Sequence, residues 1–446
     1  MRAPCALGAL PLAALLACAA PSPAPPSAPA AAPESRSMDQ IAEQYVKLVL
    51  SAGRHDDGLV DAYYGPPELK AEADATKVPL PELQARVAAL AAAAAALQPH
   101  PAAAIDHLHI LRAAYLLRQL QALGARLDML AGKRLTFDQE SQALYDAVAP
   151  HLPAEHFAAV LAELEPLVPG DGPLPARVEA FRQRFVIPRE RLDAVFRAAI
   201  DECRRRTLAH VELPAGESFV VEYVSGRPWS AYNWYKGNFH SLIQVNTELP
   251  IFVDRAIDLA CHEGYPGHHV YNALLEKRLM RDRGWVETSI YNLFSPQSLI
   301  AEGTANFGVE VAFPGEERVA FERERLFPLA GLDPAQAAEY YRVQRLLQRL
   351  SYAGNEAARR YLDGEITAEQ AADWLVRYGL MSPERAKQRV SFFDTYRSYV
   401  INYNLGQDLV RAHVEAQGGT PDRPERRWQV FTELLSSPRL PSGLER

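Results

Sequence analysis

The chain has 446 residues, of which 48% are hydrophobic and 23% are charged. This composition is typical of a folded protein with ample core. The formal net charge is −8, and the only run of three consecutive arginines lies at 204–206. An acidic chain without a long basic run predicts that nucleic acid is not a partner.

The N-terminus is predicted to be an export signal. Arg2 precedes an apolar run at residues 6–17, which is too short to span a bilayer but has the length of a signal-peptide core. The run ends in the sequence LLAC, whose cysteine is Cys18, and this resembles the lipobox of bacterial lipoproteins. We predict a signal peptide with lipobox at 1–18. A plain secretory signal that is cleaved nearby is the alternative.

The position of Cys18 predicts where the mature protein resides. A lipidated Cys18 would be its first residue and its only attachment to a membrane, on the periplasmic side of a bacterial membrane. Residues 19–36 are mostly Ala, Pro and Ser, so we expect a tether without a core. No later stretch is long and apolar enough for a membrane helix.

Residues 37–446 are predicted to form one mainly α-helical domain with two halves. The first half, 37–212, is expected to be a helical scaffold, and nothing in it predicts chemistry. Apolar spacing and helix-forming composition predict its helices at 36–54, 80–97, 102–130, 137–148, 154–166, 174–186 and 188–209.

The second half, 213–446, begins with strand-like sequence. Residues 218–224 read SFVVEYV and residues 238–247 read NFHSLIQVNT, and both are typical of strands. We predict a small β-ribbon just ahead of the next motif, where an extended peptide could add to a sheet edge. A surface hairpin without a role in binding is the alternative.

The sequence CHEGYPGHHVY at 261–271 predicts a zinc site, because it places three histidines and a glutamate together after the apolar run at 249–260. Two imidazoles would hold the metal, and Glu263 would activate its bound water. Cys261 points away from His262 on a helix and is not predicted as a ligand. Cys261 and Cys203 are expected to be buried thiols or a single disulfide.

The spacing of these histidines requires a break in the helix. In the usual pattern HExxH the second histidine lies at i+4, but here that position is Pro266. On a straight helix His268 would face about 240° away from His262, and His269 would lie about 10.5 Å further along the axis. Pro266 and Gly267 predict a kink or bulge that returns His268 to the second ligand position. His269 is kept as the alternative ligand or as a donor to the substrate.

A third ligand is predicted on a following helix that begins at Ser295 and Pro296. Glu302 lies among apolar residues on that helix, where a carboxylate is costly unless it is paired or binds metal. Glu302 would complete a His2Glu site and leave a fourth position open to water. Glu310 is predicted either to orient a ligand histidine or to form a salt bridge at the helix surface.

One long final helix is predicted from Ser382-Pro383 through residue 414. It places Tyr396, Tyr399 and Tyr403 at spacings of three and four, so that they share a face. Such a stripe is more often core than site, although tyrosine hydroxyls can donate to an oxyanion. Arg397 would bind a substrate carboxylate, with Tyr403 as a further substrate-binding residue.

The chain resembles two groups of proteins in these motifs. The HExxPGHH sequence at 262–269, the YYGPPEL sequence at 63–69 and the AEG sequence at 301–303 resemble the bacterial domain-of-unknown-function 885 family over most of residues 38–435. The chain is more distantly similar to gluzincin metallopeptidases, namely the angiotensin-converting-enzyme-like and thermostable carboxypeptidase families. Their motif HExGHxxY lines up with the end of this one if Gly264 and Tyr265 are an insertion.

The gluzincin resemblance implies roles for particular residues. It supports His268 as the second ligand and Glu302 as the third, and it implies that Tyr399 stabilises the oxyanion, together with Tyr396 or His269. It also implies a zincin-like fold with a cleft between the two helical halves.

The predicted function is a zinc-dependent peptide hydrolase, a carboxypeptidase or dipeptidase, with one Zn²⁺ per chain and Glu263 as general base. The alternatives are a zinc-binding lipoprotein without turnover and a zinc amidase or esterase that acts on a non-peptide substrate. Each alternative predicts a different effect of replacing Glu263 or a different substrate class. Oligomeric state is not predicted.

Overall fold

The computed structural model describes residues 33–99, 106–227 and 229–444. The predicted signal peptide, Cys18 and nearly all of the tether lie outside the described residues. So does the start of the helix predicted at 102–130. No helix among the described residues has the length and apolar character needed to cross a membrane.

The fold is mainly α-helical, as predicted. Its helices are α1 (Pro33–Ala52), α2 (Pro67–Ala75), α3 (Leu80–Ala96), α4 (His107–Leu130), α5 (Phe137–Tyr145), α6 (Ala154–Leu164), α7 (Leu174–Gln183), α8 (Leu192–Leu208), α9 (Asp254–Leu259), α10 (His268–Leu275), α11 (Pro296–Ala312), α12 (Glu317–Phe321), α13 (Phe327–Ala330), α14 (Ala337–Arg349), α15 (Ala353–Leu362), α16 (Ala368–Gly379), α17 (Pro383–Tyr396), α18 (Ile401–Ala416) and α19 (Pro424–Leu435).

Two small sheets accompany the helices. Their strands are β1 (Val60–Tyr63), β2 (Ser218–Val224), β3 (Ala231–Gly237), β4 (His240–Asn246) and β5 (Ile290–Asn292). Strand β4 lies between β2 and β3 in one sheet, while β1 pairs with β5 in the other. The two strands predicted from sequence, β2 and β4, pair with each other in parallel, and the third strand β3, which was not predicted, joins them.

The antiparallel partner of β4 is β3, whose aromatic and polar sequence does not alternate clearly enough to be recognised. Strands β3 and β4 are joined by Asn238 and Phe239, which both have positive φ, at 53° and 60°. Positive φ at both central residues gives a tight turn that matches the twist of the two strands. The turn therefore decides the pairing that the strand pattern left open.

The predicted final helix is broken in two at Arg397, where φ is 52° and ψ is −126°. A short 3₁₀ turn (Arg397–Val400) separates α17 from α18. The buried carboxylate of Glu140 on α5 accepts hydrogen bonds from Arg397 Nε at 2.7 Å, Ser398 N at 3.1 Å and Ser398 Oγ at 2.7 Å. These bonds replace those of a continuous helix, so a tertiary contact overrides the local helical pattern.

The predicted helix starts at Pro296 and Pro383 are confirmed, but only one serine caps with its side chain. Ser382 Oγ accepts from Arg385 N at 3.3 Å. The hydroxyl of Ser295 instead donates to the carbonyl of Asn292 at 2.7 Å.

The described residues form two apolar cores, which do not follow the predicted boundary at 212. One core combines residues between 157 and 444. The other joins residues 38–149 to the segments 290–299 and 357–405. Helix α11 contributes to both cores, because Leu299 packs in the second and Phe307 in the first. Helix α11 therefore lies at the boundary between the two cores.

A close helix crossing fixes the position of α11. A side-chain carbon added to Gly303 would lie 2.4 Å from the carbonyl oxygen of Gly406 on α18, so the two backbones touch where no larger residue fits. This contact holds Glu302, the neighbour of Gly303, against the segment that carries Tyr399 and Tyr403.

Candidate metal centre and cavity

The HExxPGHH segment breaks the helix where the sequence predicts. Helix α9 runs into a wider π-helical turn (Ala260–Gly264), Tyr265 is extended, and the Tyr265–Pro266 peptide is cis. Helix α10 then begins at His268. A side-chain carbon at Gly267 would lie 1.9 Å from the carbonyl oxygen of His262, so only glycine fits this break.

The break brings His268 back to His262, as predicted. Their Nε2 atoms lie 3.1 Å apart. Glu302 Oε2 lies 3.2 Å from His262 Nε2 and 3.7 Å from His268 Nε2. Three ligand atoms about 2.0–2.1 Å from a tetrahedral ion are about 3.3 Å from one another. Glu302 Oε2 is also buried without a hydrogen-bond partner among the described residues, so this donor set fits a metal ion with three protein ligands.

Glu263 lies beside these three atoms. One of its carboxylate oxygens and a ring nitrogen of both His262 and His268 all lie within 4.8 Å of one another. Its side chain is nearly buried, and its own backbone carbonyl accepts from Asn233 Nδ2 at 2.6 Å. Because Glu302 is nearer to the two histidines, Glu302 is the candidate third ligand and Glu263 is the adjacent carboxylate.

Two further residues hold the candidate ligands in position. His262 Nδ1 bonds to Asn306 Oδ1 at 2.9 Å, which leaves Nε2 for a metal. The Tyr399 hydroxyl donates to Glu302 Oε1 at 2.8 Å. Sequence analysis missed Asn306, although its position one turn after Glu302 on α11 was a usable signal.

His262, Glu263, His268 and Glu302 form the metal-site cluster. Burial and the charges within the cluster shift the pKa values of His262, Glu263 and Glu302. Burial lowers the pKa of His262, but the carboxylates of Glu302 and Glu263 outweigh burial and raise it to about 9. Burial raises the pKa of Glu302, but His262 and His268 reverse this and lower it overall. Burial also raises the pKa of Glu263, which suits a group that must accept a proton.

His269 does not belong to the cluster, so its predicted roles as ligand or substrate donor were wrong. Its side chain is buried, with Nδ1 at 2.8 Å from Ser241 Oγ and Nε2 at 2.9 Å from Glu217 Oε2. Glu217 also accepts from Tyr265 and Arg204, at 2.6 and 2.7 Å. These bonds hold the outer side of the helix break, which gives His269 a structural role.

The Glu217 network predicts a loss of stability in acid. Burial raises the pKa of Glu217, but its bonds to His269, Tyr265 and Arg204 lower it to about 2. Because the pKa of Glu217 is lowered in the folded state, its carboxylate stabilises the folded protein at pH values above the usual pKa near 4.5. This stabilisation is lost as pH falls toward 2. We expect about 2 kcal/mol of stability from this source.

Urea unfolding at pH 3, 5 and 7 measures this effect. In Glu217→Gln, the free energy of unfolding should fall less between pH 5 and pH 3 than in the parent. The exposed Glu212 has no resolved partner, so Glu212→Gln is the matched control and should keep the parent's pH dependence. An equal acid loss in Glu217→Gln and the parent would contradict the assignment.

Tyr399 and Arg397 of the broken final helix make contacts that differ from their predicted roles. Tyr396, Tyr399 and Tyr403 form a cluster, with ring centres 6.0 Å and 5.9 Å apart in sequence order. Tyr399 is buried and engaged with Glu302, so its predicted donation to an oxyanion is corrected to orientation of a ligand. Arg397 bonds to Glu140 and does not line the cavity, so its predicted contact with a substrate carboxylate was wrong.

The metal-site cluster, formed by His262, Glu263, His268 and Glu302, opens into a cavity of about 1410 Å³. Most of its lining comes from residues 229–427, while the first half of the chain contributes Asp61, Leu152, His156 and Arg182. Tyr396 and Tyr403 line it together with the cluster residues. A cavity of this size exceeds the usual range for a small-molecule site, and it has room for a peptide.

Arg389 on α17 is one of the arginines that line this cavity, and the charge of Glu302 acts on its pKa. Its guanidinium carbon lies 4.5 Å from the ring centre of Phe392 and 5.8 Å from that of Tyr403. No carboxylate among the described residues lies within 4 Å of it, and burial lowers its pKa. Sequence analysis missed this residue, because nothing in its sequence neighbourhood marks it as facing the site.

Two other sequence alternatives are decided by the structure. Glu310 accepts from Gln407 at 2.7 Å and from Arg411 Nε at 3.2 Å, so it forms a salt bridge and does not orient a ligand histidine. Cys203 and Cys261 are both buried free thiols. Burial raises the pKa of Cys203, and the neighbouring Cys261 raises it further.

Comparison with solved structures shows the fold. A protein of Colwellia psychrerythraea described as a lipoprotein is 16% identical and superposes with a TM-score of 0.51, covering 85% of this chain and 72% of that one. The M32 carboxypeptidase from Deinococcus radiodurans R1 is 12% identical, with a TM-score of 0.43 over 93% of each chain. The likeness extends to the fold alone. No family model and no curated protein matches this chain, so the resemblance to the domain-of-unknown-function 885 family stays a prediction.

Proposed function

We propose that the protein is a zinc-dependent peptide hydrolase, a carboxypeptidase or a dipeptidase. The observation that carries the proposal is the convergence of His262 Nε2, His268 Nε2 and Glu302 Oε2 within 3.7 Å beside the free carboxylate of Glu263. Three protein ligands with an adjacent carboxylate and an open cavity are typical of a catalytic rather than a structural zinc site.

The residues of the cluster would divide the work as follows. A bound zinc ion would activate a water molecule and polarise the substrate carbonyl. Glu263 would take a proton from the attacking water and return it to the leaving nitrogen. The hydroxyls of Tyr396 and Tyr403, which line the same cavity, are the candidates to donate hydrogen bonds to the oxyanion.

Arg389 supports an enzyme that acts near a free C-terminus. A guanidinium in a partly buried cavity without an acidic partner is costly, and its planar fork matches a carboxylate. Arg389 contacts Tyr403, whose ring neighbours the Tyr399 that holds Glu302. The C-terminal carboxylate of a peptide bound at Arg389 would therefore place a bond near its end at the metal.

Arg389→Gln is expected to raise KM for peptides with a free C-terminus by about 10- to 100-fold. This factor corresponds to the free energy of one charge-assisted hydrogen bond. Peptides with an amidated C-terminus should be cleaved poorly by both proteins. Steady-state kinetics with matched free and amidated peptides measure this, and Lys387→Gln on the exposed side of the same helix is the control. An unchanged KM would exclude Arg389 as the carboxylate site.

The proposal itself is tested on the protein from residue 37 onward. Its metal content is measured, and it is incubated with a mixed peptide library whose products are read by mass spectrometry. One zinc per chain with release of C-terminal residues or cleavage of dipeptides is the expected result. Zinc without peptide cleavage would overturn it, and turnover of small amides or esters would then favour the amidase or esterase alternative.

The location of the protein is also a proposal. We infer export and attachment through a lipidated Cys18, supported by the lipobox-like sequence. Metabolic labelling with a palmitate analogue, compared with Cys18→Ala, tests this attachment.

A further inference from the structure

A β-bulge aims one carboxylate of the first half into the cavity. Strand β1 pairs with β5 so that Val60 opposes Asn292 and Ala62 opposes Tyr291, which leaves Asp61 as the extra residue. A bulge of this kind re-aims a side chain, and Asp61 lines the cavity with Glu263, His268 and Glu302. Its position is held by the YYGPPEL segment, where Tyr64 donates to the carbonyl of Thr288 at 2.6 Å.

Asp61 differs from most other carboxylates of the cavity. Among the described residues, Asp258, Glu310, Glu316 and Asp408 each have an arginine within 4 Å. In the part of the chain that the structure describes, no basic side chain lies within that distance of Asp61, and the hydroxyl of Tyr232 is its hydrogen-bond donor. A carboxylate without a cation in a partly buried site is costly, so a cation from outside the chain would be favoured there.

The surroundings of Asp61 favour an organic amine over a second metal ion. Tyr232 bonds to Asp61 and lies beside Trp229, and Tyr291 pairs with Ala62 on the neighbouring strand. These aromatic side chains and Tyr396 line the cavity with Asp61, and aromatic faces attract ammonium groups. Burial raises the pKa of Asp61 to about 6, although the bond from Tyr232 and the charge of His268 act to lower it. A bound ammonium group would also lower the pKa of Asp61.

We propose that Asp61 binds a protonated amine of the peptide substrate, either its free N-terminus or a lysine side chain. This inference rests on the proposed peptide-hydrolase function and narrows its substrate class. With a carboxylate at Arg389 and an amine at Asp61, the cavity would select short peptides whose two ends carry opposite charges.

The test compares three dipeptides: alanyl-phenylalanine, N-acetyl-alanyl-phenylalanine and N-acetyl-lysyl-phenylalanine. The parent should favour a probe with a free amine by about 10- to 100-fold in kcat/KM over N-acetyl-alanyl-phenylalanine. Asp61→Asn keeps an acceptor for Tyr232 but removes the charge, so it should lose this preference while zinc content and activity on N-acetyl-alanyl-phenylalanine are retained. Asp57→Asn, at an exposed residue just ahead of β1, is the matched control and should behave as the parent.

The probes also identify the source of the amine. Preference for alanyl-phenylalanine that depends on Asp61 assigns the N-terminus, and preference for the lysyl probe that depends on Asp61 assigns the side chain. A parent without either preference, or Asp61→Asn with the parent's preference, overturns the amine site while leaving the hydrolase function in place.

Calorimetric titration of zinc-loaded Glu263→Gln, with and without Asp61→Asn, separates the two proposals. If the parent hydrolyses no probe but a free amine still binds more tightly when Asp61 is present, the hydrolase function fails and the amine site stands. If there is neither hydrolysis nor binding that depends on Asp61, both proposals are overturned.

Discussion

Replacement of His262, His268 or Glu302 is expected to remove zinc from the protein. The atoms His262 Nε2, His268 Nε2 and Glu302 Oε2 are separated by 3.1, 3.2 and 3.7 Å, so each supplies one of three protein bonds to the ion. Loss of an outer partner costs 10- to 100-fold in metal affinity, and loss of a ligand itself should exceed about 100-fold. Equilibrium dialysis with zinc measures the affinity of His262→Ala, His268→Ala and Glu302→Gln.

Two controls bracket this result. His269→Gln should keep one zinc per chain, because His269 bonds to Ser241 and Glu217 outside the cluster. Asn306→Ala, which removes the bond to His262 Nδ1 and the bond that Asn306 Nδ2 donates to the carbonyl of Tyr403, should weaken binding by about 10- to 100-fold. Zinc loss in His269→Gln together with zinc retention in His268→Ala would reverse the ligand assignment, and no zinc in the parent would remove the metal centre altogether.

Glu263→Gln is expected to keep zinc and lose turnover. The amide has the shape of the carboxylate but cannot accept the proton, and a positioned general base contributes about 10²- to 10⁴-fold to a rate. We therefore expect kcat on peptides to fall by that factor, with zinc content unchanged. Single-turnover kinetics on a peptide found in the library, together with metal analysis of the same sample, measure both quantities.

The matched control for Glu263 is Glu310→Gln, at a carboxylate of the same cavity that Arg411 and Gln407 engage. It should retain kcat. A parent and a Glu263→Gln protein that bind zinc equally and share the same measurable kcat would show that Glu263 is not the base. If neither turns over any substrate, a lipoprotein that binds zinc without catalysis becomes the better description.

Helix content and the candidate ligand set were open to sequence analysis because their signals are local. Apolar spacing marks helices, and a proline at i+4 followed by glycine forces a break whatever surrounds it. The predicted return of His268 to His262 followed from that local chemistry. Glu302 was recognisable because a carboxylate in an apolar helix face needs a partner.

The roles of the residues around the ligands depended on contacts distant in the chain. Arg397 and the break in the final helix are decided by Glu140, which lies 257 positions away, and no window of sequence contains that contact. From sequence, His269 remained an alternative to His268, but Ser241 and Glu217 occupy both its nitrogens. The contact of Tyr399 was hidden from sequence for the same reason, because its hydroxyl donates to Glu302 on α11 from the turn between α17 and α18.

The sequence by itself therefore determined a mainly helical fold and the motif that brings His262 and His268 together, because spacing and backbone chemistry act over a few residues. The tertiary structure alone decided which carboxylates and cations face the cavity. Asp61 is aimed by a bulge that pairs residue 60 with residue 292, and Arg389 faces the cavity because α17 packs where it does. Such placements arise from packing between distant segments, whose energies a linear pattern does not contain.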